Sequence, residues 1–366
     1  MSSSAEGASG DSGHAAFFRG AAAGVGAQVA ALATGFVAAV LIARSTEVAE
    51  LGAYAVAAAI AAFIGLLTGL QLTTQVARAH TDGEAAGLLP WALAAGALGS
   101  LTAIGLAGAA HFWPASSVGP LIWLTPAIAV QPSTDALSGL LARDGKAGWM
   151  VLHQVVRASS RPAIVLIFVA SLGFLHSQTI AIIDSAVALV SLVAIVVIHG
   201  VGVLRTRLSH RDTVRLATLL PAFGALLIVG ANWQMIQRTD LLCVGFFLGH
   251  APAGRYAVAL RLLETATSSF SALMVFFLPL MTRARREGQA RDAYVRATVL
   301  GAQILLPGLV FIGIWGDRIS AGLFGAQYSL PAKVFIALSI GLVAQVAAGP
   351  NGFALMAGRR HGHLAA

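Results

Sequence analysis

Residues 51–76 read LGAYAVAAAIAAFIGLLTGLQLTTQV, without one charged side chain. A helix apolar on every side lies either in a large protein core or in lipid. Composition chooses between them. Hydrophobic residues make up 57% of the 366 and charged residues 10%, against roughly 25% charged in soluble domains. The mean hydropathy of +0.82 agrees. Disorder and collagen are excluded by composition, and a disulfide scaffold by the single cysteine, Cys243. The chain reads as an all-α, polytopic membrane protein.

Working outward from that stretch, runs of roughly 20 mainly apolar residues mark spans. They are Ala21–Ala43, Leu51–Val76, Leu88–Ala110, Pro120–Ala142, Ala147–Leu175, Gln178–His199, Leu216–Leu248, Pro252–Met281, Ala293–Trp315 and Leu330–Ala357. That predicts about ten helices, with a corner near His250–Gly254. Residues 1–18 form a Ser/Gly-rich tail, expected to be disordered and unlike a secretory signal, which needs a basic start.

Of 23 basic residues, 15 fall in alternate connecting segments, 3 (Arg44, Arg255 and Arg318) in the opposite set, and the rest within spans. The positive-inside rule then places both termini in the cytoplasm of a multi-pass protein of the inner (plasma) membrane. The charge of +8 thus sits in short cytoplasmic loops, and no basic domain points to nucleic acid. Reporter fusions after Arg215 and after Arg296 should both read cytoplasmic; an external reading at either would overturn the topology.

The opening hexapeptide returns. Gly52-Ala53-Tyr54-Ala55-Val56-Ala57 matches Gly254-Arg255-Tyr256-Ala257-Val258-Ala259, each opening an inward-running span. A weaker echo relates Ser138–Arg143 to Phe353–Arg359. A six-helix shift keeps orientation, so these are parallel repeats of the kind that build secondary transporters. The expectation is a six-helix lobe over 19–200, a basic cytoplasmic linker over 201–215, and a second lobe over 216–366 around a central cavity. The second lobe holds four of the six helices that the repeat predicts.

Leu51-Gly52-Ala53-Tyr54, Asp240, Gly254-Arg255-Tyr256, Leu278-Pro279-Leu280 and Leu323-Phe324-Gly325-Ala326-Gln327-Tyr328, in that order, resemble Wzx-type polysaccharide flippases. These belong to the multidrug/oligosaccharidyl-lipid/polysaccharide exporter superfamily. The resemblance implies two lobes around a cavity and transfer of a polyprenyl-diphosphate-linked glycan to the outer leaflet. It also implies the bilayer and polysaccharide polymerases as partners, no cofactor and no enzymatic step.

Charged groups within a span cost about 2.5 kcal/mol or more at mid-bilayer, so they should face protein or water. The fifth span carries His153, Arg157 and Arg161 on one stripe, and Pro162 predicts a kink. Two guanidiniums on one face suit a diphosphate, which arginine grips bidentately. Alternatively, Arg157 pairs with Asp135 of the fourth span or snorkels to the interface. The eighth span offers Arg261, Glu264, Thr265 and Ser268, and the seventh Gln234, Gln237, Arg238 and Asp240. They form either an interhelical network or a gate or proton relay.

The candidate substrate-binding residues are therefore Arg157, Arg161, Arg238 and Arg261. The candidate coupling or gating acids are Asp135, Asp240 and Glu264. The second span adds Gln71, Thr74, Gln75 and Arg78, and Asp184 has no assigned role. His361-Gly362-His363 is too short for a metal site, and Gly145-Lys146 lacks a P-loop's flanking residues. Three readings compete with a lipid-linked oligosaccharide flippase. One is a cation-coupled small-molecule exporter of the same superfamily. Another is a membrane-embedded transferase, for which no catalytic group stands out. The last is a truncated, non-transporting remnant.

Overall fold

The structure, a computed structural model, describes residues 26, 29–69, 72–79, 81–110, 119–144, 146–200, 204, 216–265 and 290–343. Outside these lie the expected tail and almost all of the 201–215 linker. Gln71, Ser268, Leu278–Leu280, the basic residues from Arg283 to Arg286, Phe353–Arg359 and the terminal histidines also lie outside them.

The described residues are helical apart from short connections. In chain order the helices are α1 (Val29–Arg44), α2 (Val48–Thr68), α3 (Leu72–Arg78), α4 (Asp82–Gly87), α5 (Leu89–Ala110) and α6 (Gly119–Arg143). There follow α7 (Ala147–Leu172), α8 (Ser177–His199), α9 (Leu216–Leu248), α10 (residues 250–265), α11 (Ala290–Phe324) and α12 (Ala332–Val343). A 3-10 turn, Ala326–Tyr328, precedes α12.

Among the described residues, four stretches are long and apolar enough to cross a membrane: Val48–Thr68, Asp82–Ala109, Gly148–Leu172 and Ser177–His199. Their outward side chains, such as Leu93, Leu101, Ile167 and Val197, are exposed and apolar. Water would not tolerate such a surface, and lipid does. The chain is a multi-pass membrane protein.

The N-terminal lobe is α1–α8. Here α6 packs against α3, α5 and α8, α7 lies against α8, and α2 touches α5, α6 and α8. Its interior holds two apolar layers. One forms around Ala57, Ile64, Leu121 and Ile128, and the other around Leu72, Leu88, Leu140 and Ile195. The C-terminal lobe begins with α9, which packs against α2 across the lobe boundary.

Two expected spans differ in the structure, and the expected corner between the seventh and eighth is located. The second is not one helix. It ends at Thr68, and Gly69, whose N–H bonds Gly65 O at 2.7 Å, leads to the separate helix α3. A glycine costs about 1 kcal/mol in a helix interior, and here it marks the break. The ninth runs from Ala290 to Phe324, not Ala293 to Trp315, and at 1.5 Å per residue reaches roughly 50 Å, beyond the roughly 30 Å hydrocarbon core. The seventh and eighth are divided at Gly249, whose φ of +92° suits a residue with no Cβ. The fifth continues through Pro162 as one helix over Ala147–Leu172.

The repeat acquires a physical meaning at the lobe boundary. A Cβ added to Gly52 would lie 1.8 Å from the His250 carbonyl oxygen, and one added to Gly254 would lie 2.0 Å from the Val48 carbonyl oxygen. Each glycine therefore admits the backbone one turn before the other. α2 and α10 cross at this point, backbone against backbone.

Candidate functional site

Between the lobes lie two chambers that share walls. The smaller, about 260 Å³, is mostly alanine and leucine from α1, α2, α9 and α10, with Tyr54, Arg161, Asp184, Arg238, Arg261 and Glu264 supplying its polarity. The larger, about 750 Å³, extends toward the end where α2 gives way to α3. Gln131, Asp135, Gln154, Arg157 and Gln234 line it, together with Arg161, Asp184 and Arg261. Alanines 58 and 62 border both. Small residues on this face of α2 are what leave the space open.

Each arginine is held differently. Arg161, on α7, pairs with Asp184 Oδ1 on α8 at 2.8 Å and donates to the Tyr54 hydroxyl at 3.0 Å. Tyr54 in turn donates to Asp184. This three-member ring joins α2, α7 and α8. On the facing lobe, Arg238 of α9 and Arg261 of α10 share Glu264, at 3.2 and 3.4 Å. Arg261 reaches back toward α1, where a Cβ on Gly35 would lie 3.2 Å from its Nη2. The Thr265 hydroxyl donates to the Arg261 carbonyl at 2.8 Å, so it braces the helix and does not enter the chamber.

Arg157 donates to Gln131 Oε1 at 3.2 Å, and the Gln131 amide donates to Asp135 Oδ1 at 2.8 Å. The alternative Arg157–Asp135 pairing is thus replaced by a relay through an amide one turn before the acid. His153 does not continue the arginine stripe. It is buried, with Nε2 within 2.9 Å of the Ser191 hydroxyl and 3.2 Å of its carbonyl. A helical stripe turns as it climbs, and one turn before Arg157 it faces α8.

Asp240, expected among the gating acids, borders neither chamber. Its Oδ2 accepts from Tyr256 at 2.5 Å and its Oδ1 from the Leu241 N–H at 2.7 Å. Depth along a helix was legible in the sequence, but azimuth was not. Among the described residues, four arginines therefore face three acids across the chambers: Asp135, Asp184 and Glu264. Sequence reading gave Asp184 and Gln131 no role and saw Tyr54 only in the repeat and in the family motif. An acid alone in the apolar run Gln178–His199 was the available signal.

No family model matches the chain, and no curated protein matches it. Solved structures do. An inward-facing multidrug resistance MATE family transporter of the MOP superfamily aligns over 90% of this chain and 78% of its own, at 18% identity and a TM-score of 0.63. The chain has the MATE transporter fold. An outward-facing MATE family transporter aligns over 94% of this chain and 96% of its own, at 14% identity and a TM-score of 0.61. A MOP superfamily transporter from Pyrococcus furiosus, described as having a binding pocket of reverse polarity that suggests a different function, is 16% identical. It covers 92% of this chain and 79% of its own length at a TM-score of 0.59.

Proposed function

We propose that the chain is a membrane transporter of the MOP superfamily. Its cargo is a polyprenyl-diphosphate-linked oligosaccharide, carried to the outer leaflet for surface polysaccharide assembly. The observation behind this reading is the excess of arginine over acid around the chambers, with Arg157 held by a neutral amide. A guanidinium in that setting exchanges one amide acceptor for a diphosphate oxygen with little loss, and binds it bidentately. Arg161, Arg238 and Arg261, which line the chambers, keep the surrounding potential positive in this reading, and Asp135 and Glu264 are its gating or coupling acids. The lobes divide at the 201–215 linker, both termini lie in the cytoplasm, and the membrane is the plasma membrane. Polysaccharide polymerases are the expected neighbours in assembly.

The test is complementation of a flippase-deficient strain. Arg157→Ala should lose surface glycan at a normal protein level, since no ion pair is broken, and Arg157→Lys should restore only part of it. Wild-type glycan from Arg157→Ala would remove Arg157 from cargo binding.

A second reading, a cation-coupled small-molecule exporter, is favoured by the carboxylates of Asp184 and Glu264 in the chamber wall and by the multidrug transporters among similar folds. Expression in a drug-sensitive strain separates the two. Export of cationic dyes without glycan rescue would select the exporter.

A further inference from the structure

The end of the bundle away from the wide chamber is closed by contacts that the arginine network does not use. The sequence motif Leu323–Tyr328 forms the last residues of α11 and the following 3-10 turn. It lies across the corner between α1 and α2. Arg44, the last residue of α1, donates from Nε to the Leu323 carbonyl at 2.8 Å and from Nη2 to the Gly322 carbonyl at 2.7 Å. These are last-turn carbonyls of α11, which lack helical partners and favour a cation. Tyr328 donates to the Thr46 carbonyl at 3.0 Å, and the Gln327 amide to the same oxygen at 3.4 Å. Tyr328 is fully buried, and burial pushes its phenol up, so it remains a donor.

The strap is fastened to its own lobe. Arg255 on α10 donates to the Gln327 carbonyl at 3.1 Å, and the Ser320 hydroxyl to the Tyr328 carbonyl at 3.0 Å. Below it, Phe324 meets Phe36 of α1 edge-on at 5.7 Å. It belongs to one apolar layer with Ile42 and Leu51 of the other lobe. Four hydrogen bonds thus tie the N-terminal lobe to one short segment that is anchored to the C-terminal lobe.

We propose that residues 322–328 are a latch between the lobes. It holds the cavity shut on the Arg44 side and releases when the cavity opens to that side. A site between rocking lobes must be sealed at one end while it is open at the other. Arg44 and Gln327 are exposed, so water can replace their bonds as the latch lifts. The phenol of Tyr328 and the ring of Phe324 leave an apolar layer, which makes the closed state the resting one. The inference rests on the transporter reading but not on the cargo, and its test needs no cargo.

The full chain in sealed vesicles, with Cys243→Ala and a reporter cysteine at Ala62→Cys in the shared chamber wall, is treated with a membrane-impermeant maleimide from each side. Labelling from the Arg44 side should be slow, and Arg44→Ala/Tyr328→Phe, which removes three hydrogen bonds, should speed it roughly tenfold or more, since one charged or buried bond alone is worth about that much. In a second variant, oxidative joining of Thr46→Cys to Gln327→Cys should stop that labelling, and reduction should restore it. An unchanged rate in the first variant, at normal protein level and thermal stability, would overturn the latch. So would labelling that persists at the parent rate after the lobes are joined, and this second arm decides if the first variant does not fold. Failure of glycan rescue in the preceding test leaves these rates untouched, so the two proposals fail separately.

Discussion

Arg161→Ala is expected to abolish transport and to lower the stability of the folded chain by roughly 3 kcal/mol, because it leaves the Asp184 carboxylate without its cation between three helices. The pair is about a quarter exposed, 24% for the arginine side chain and 22% for the acid, which keeps the loss at the low end of the range for buried pairs. Arg161→Ala/Asp184→Ala should recover most of that stability, since neither charge is then stranded, while transport stays absent. Thermal unfolding in detergent reads the first effect and complementation the second. Transport restored by the double variant would mean that Arg161 serves only as the counter-ion of Asp184.

An effect of similar size is expected where α2 and α10 cross. Gly52→Ala places a methyl 1.8 Å from the His250 carbonyl oxygen, and Gly254→Ala places one 2.0 Å from that of Val48. Both neighbours are backbone, which cannot rotate aside, so the helices must part by more than an ångström. The loss should be about 3 kcal/mol, the upper end of overpacking costs. Gly65→Ala, on the same helix with nothing within 4 Å of its added Cβ, should instead be neutral or gain up to about 1 kcal/mol of helix propensity. Melting temperatures of the three variants give the comparison. A Gly52→Ala protein as stable as Gly65→Ala would show that the crossing is not how the chain packs.

How much of this was legible depended on what kind of atom carries each contact. Helix positions followed from apolar runs, because a bilayer selects side-chain chemistry over whole windows: α8 and α9 lie within a residue of their expected bounds. The break at Gly69 was not visible, because the residues on either side remain apolar or uncharged. Arg161, Arg238 and Arg261 were found near one another because charges within a span have few places to go. Asp184 was one of four acids available to them but was not matched to Arg161, and Asp240 was placed among the gating acids, because sequence spacing gives depth but not which way a helix is rotated against its neighbour. The latch contacts were unreadable for another reason. Arg44 and Tyr328 end on carbonyl oxygens 278 to 282 residues away, and every residue carries such an oxygen. A motif such as Leu323–Tyr328 could be noticed, but its acceptors leave no trace in the composition.

The crossing of α2 and α10 has the form of an isologous contact, the kind made by two copies of one subunit about a two-fold axis. Gly52 meets the carbonyl four residues before Gly254, and Gly254 meets the carbonyl four residues before Gly52. A dimer obeying that rule must treat both halves alike, down to the partner of each tyrosine. This single chain need not. Tyr54 bonds an acid six helices after its own, on α8, while the matching Tyr256 bonds one on the helix just before its own, α9. Joining the halves in one polypeptide lets the backbone keep the symmetric seam while the charges around it specialise, so that only one half presents its tyrosine's carboxylate to the chamber.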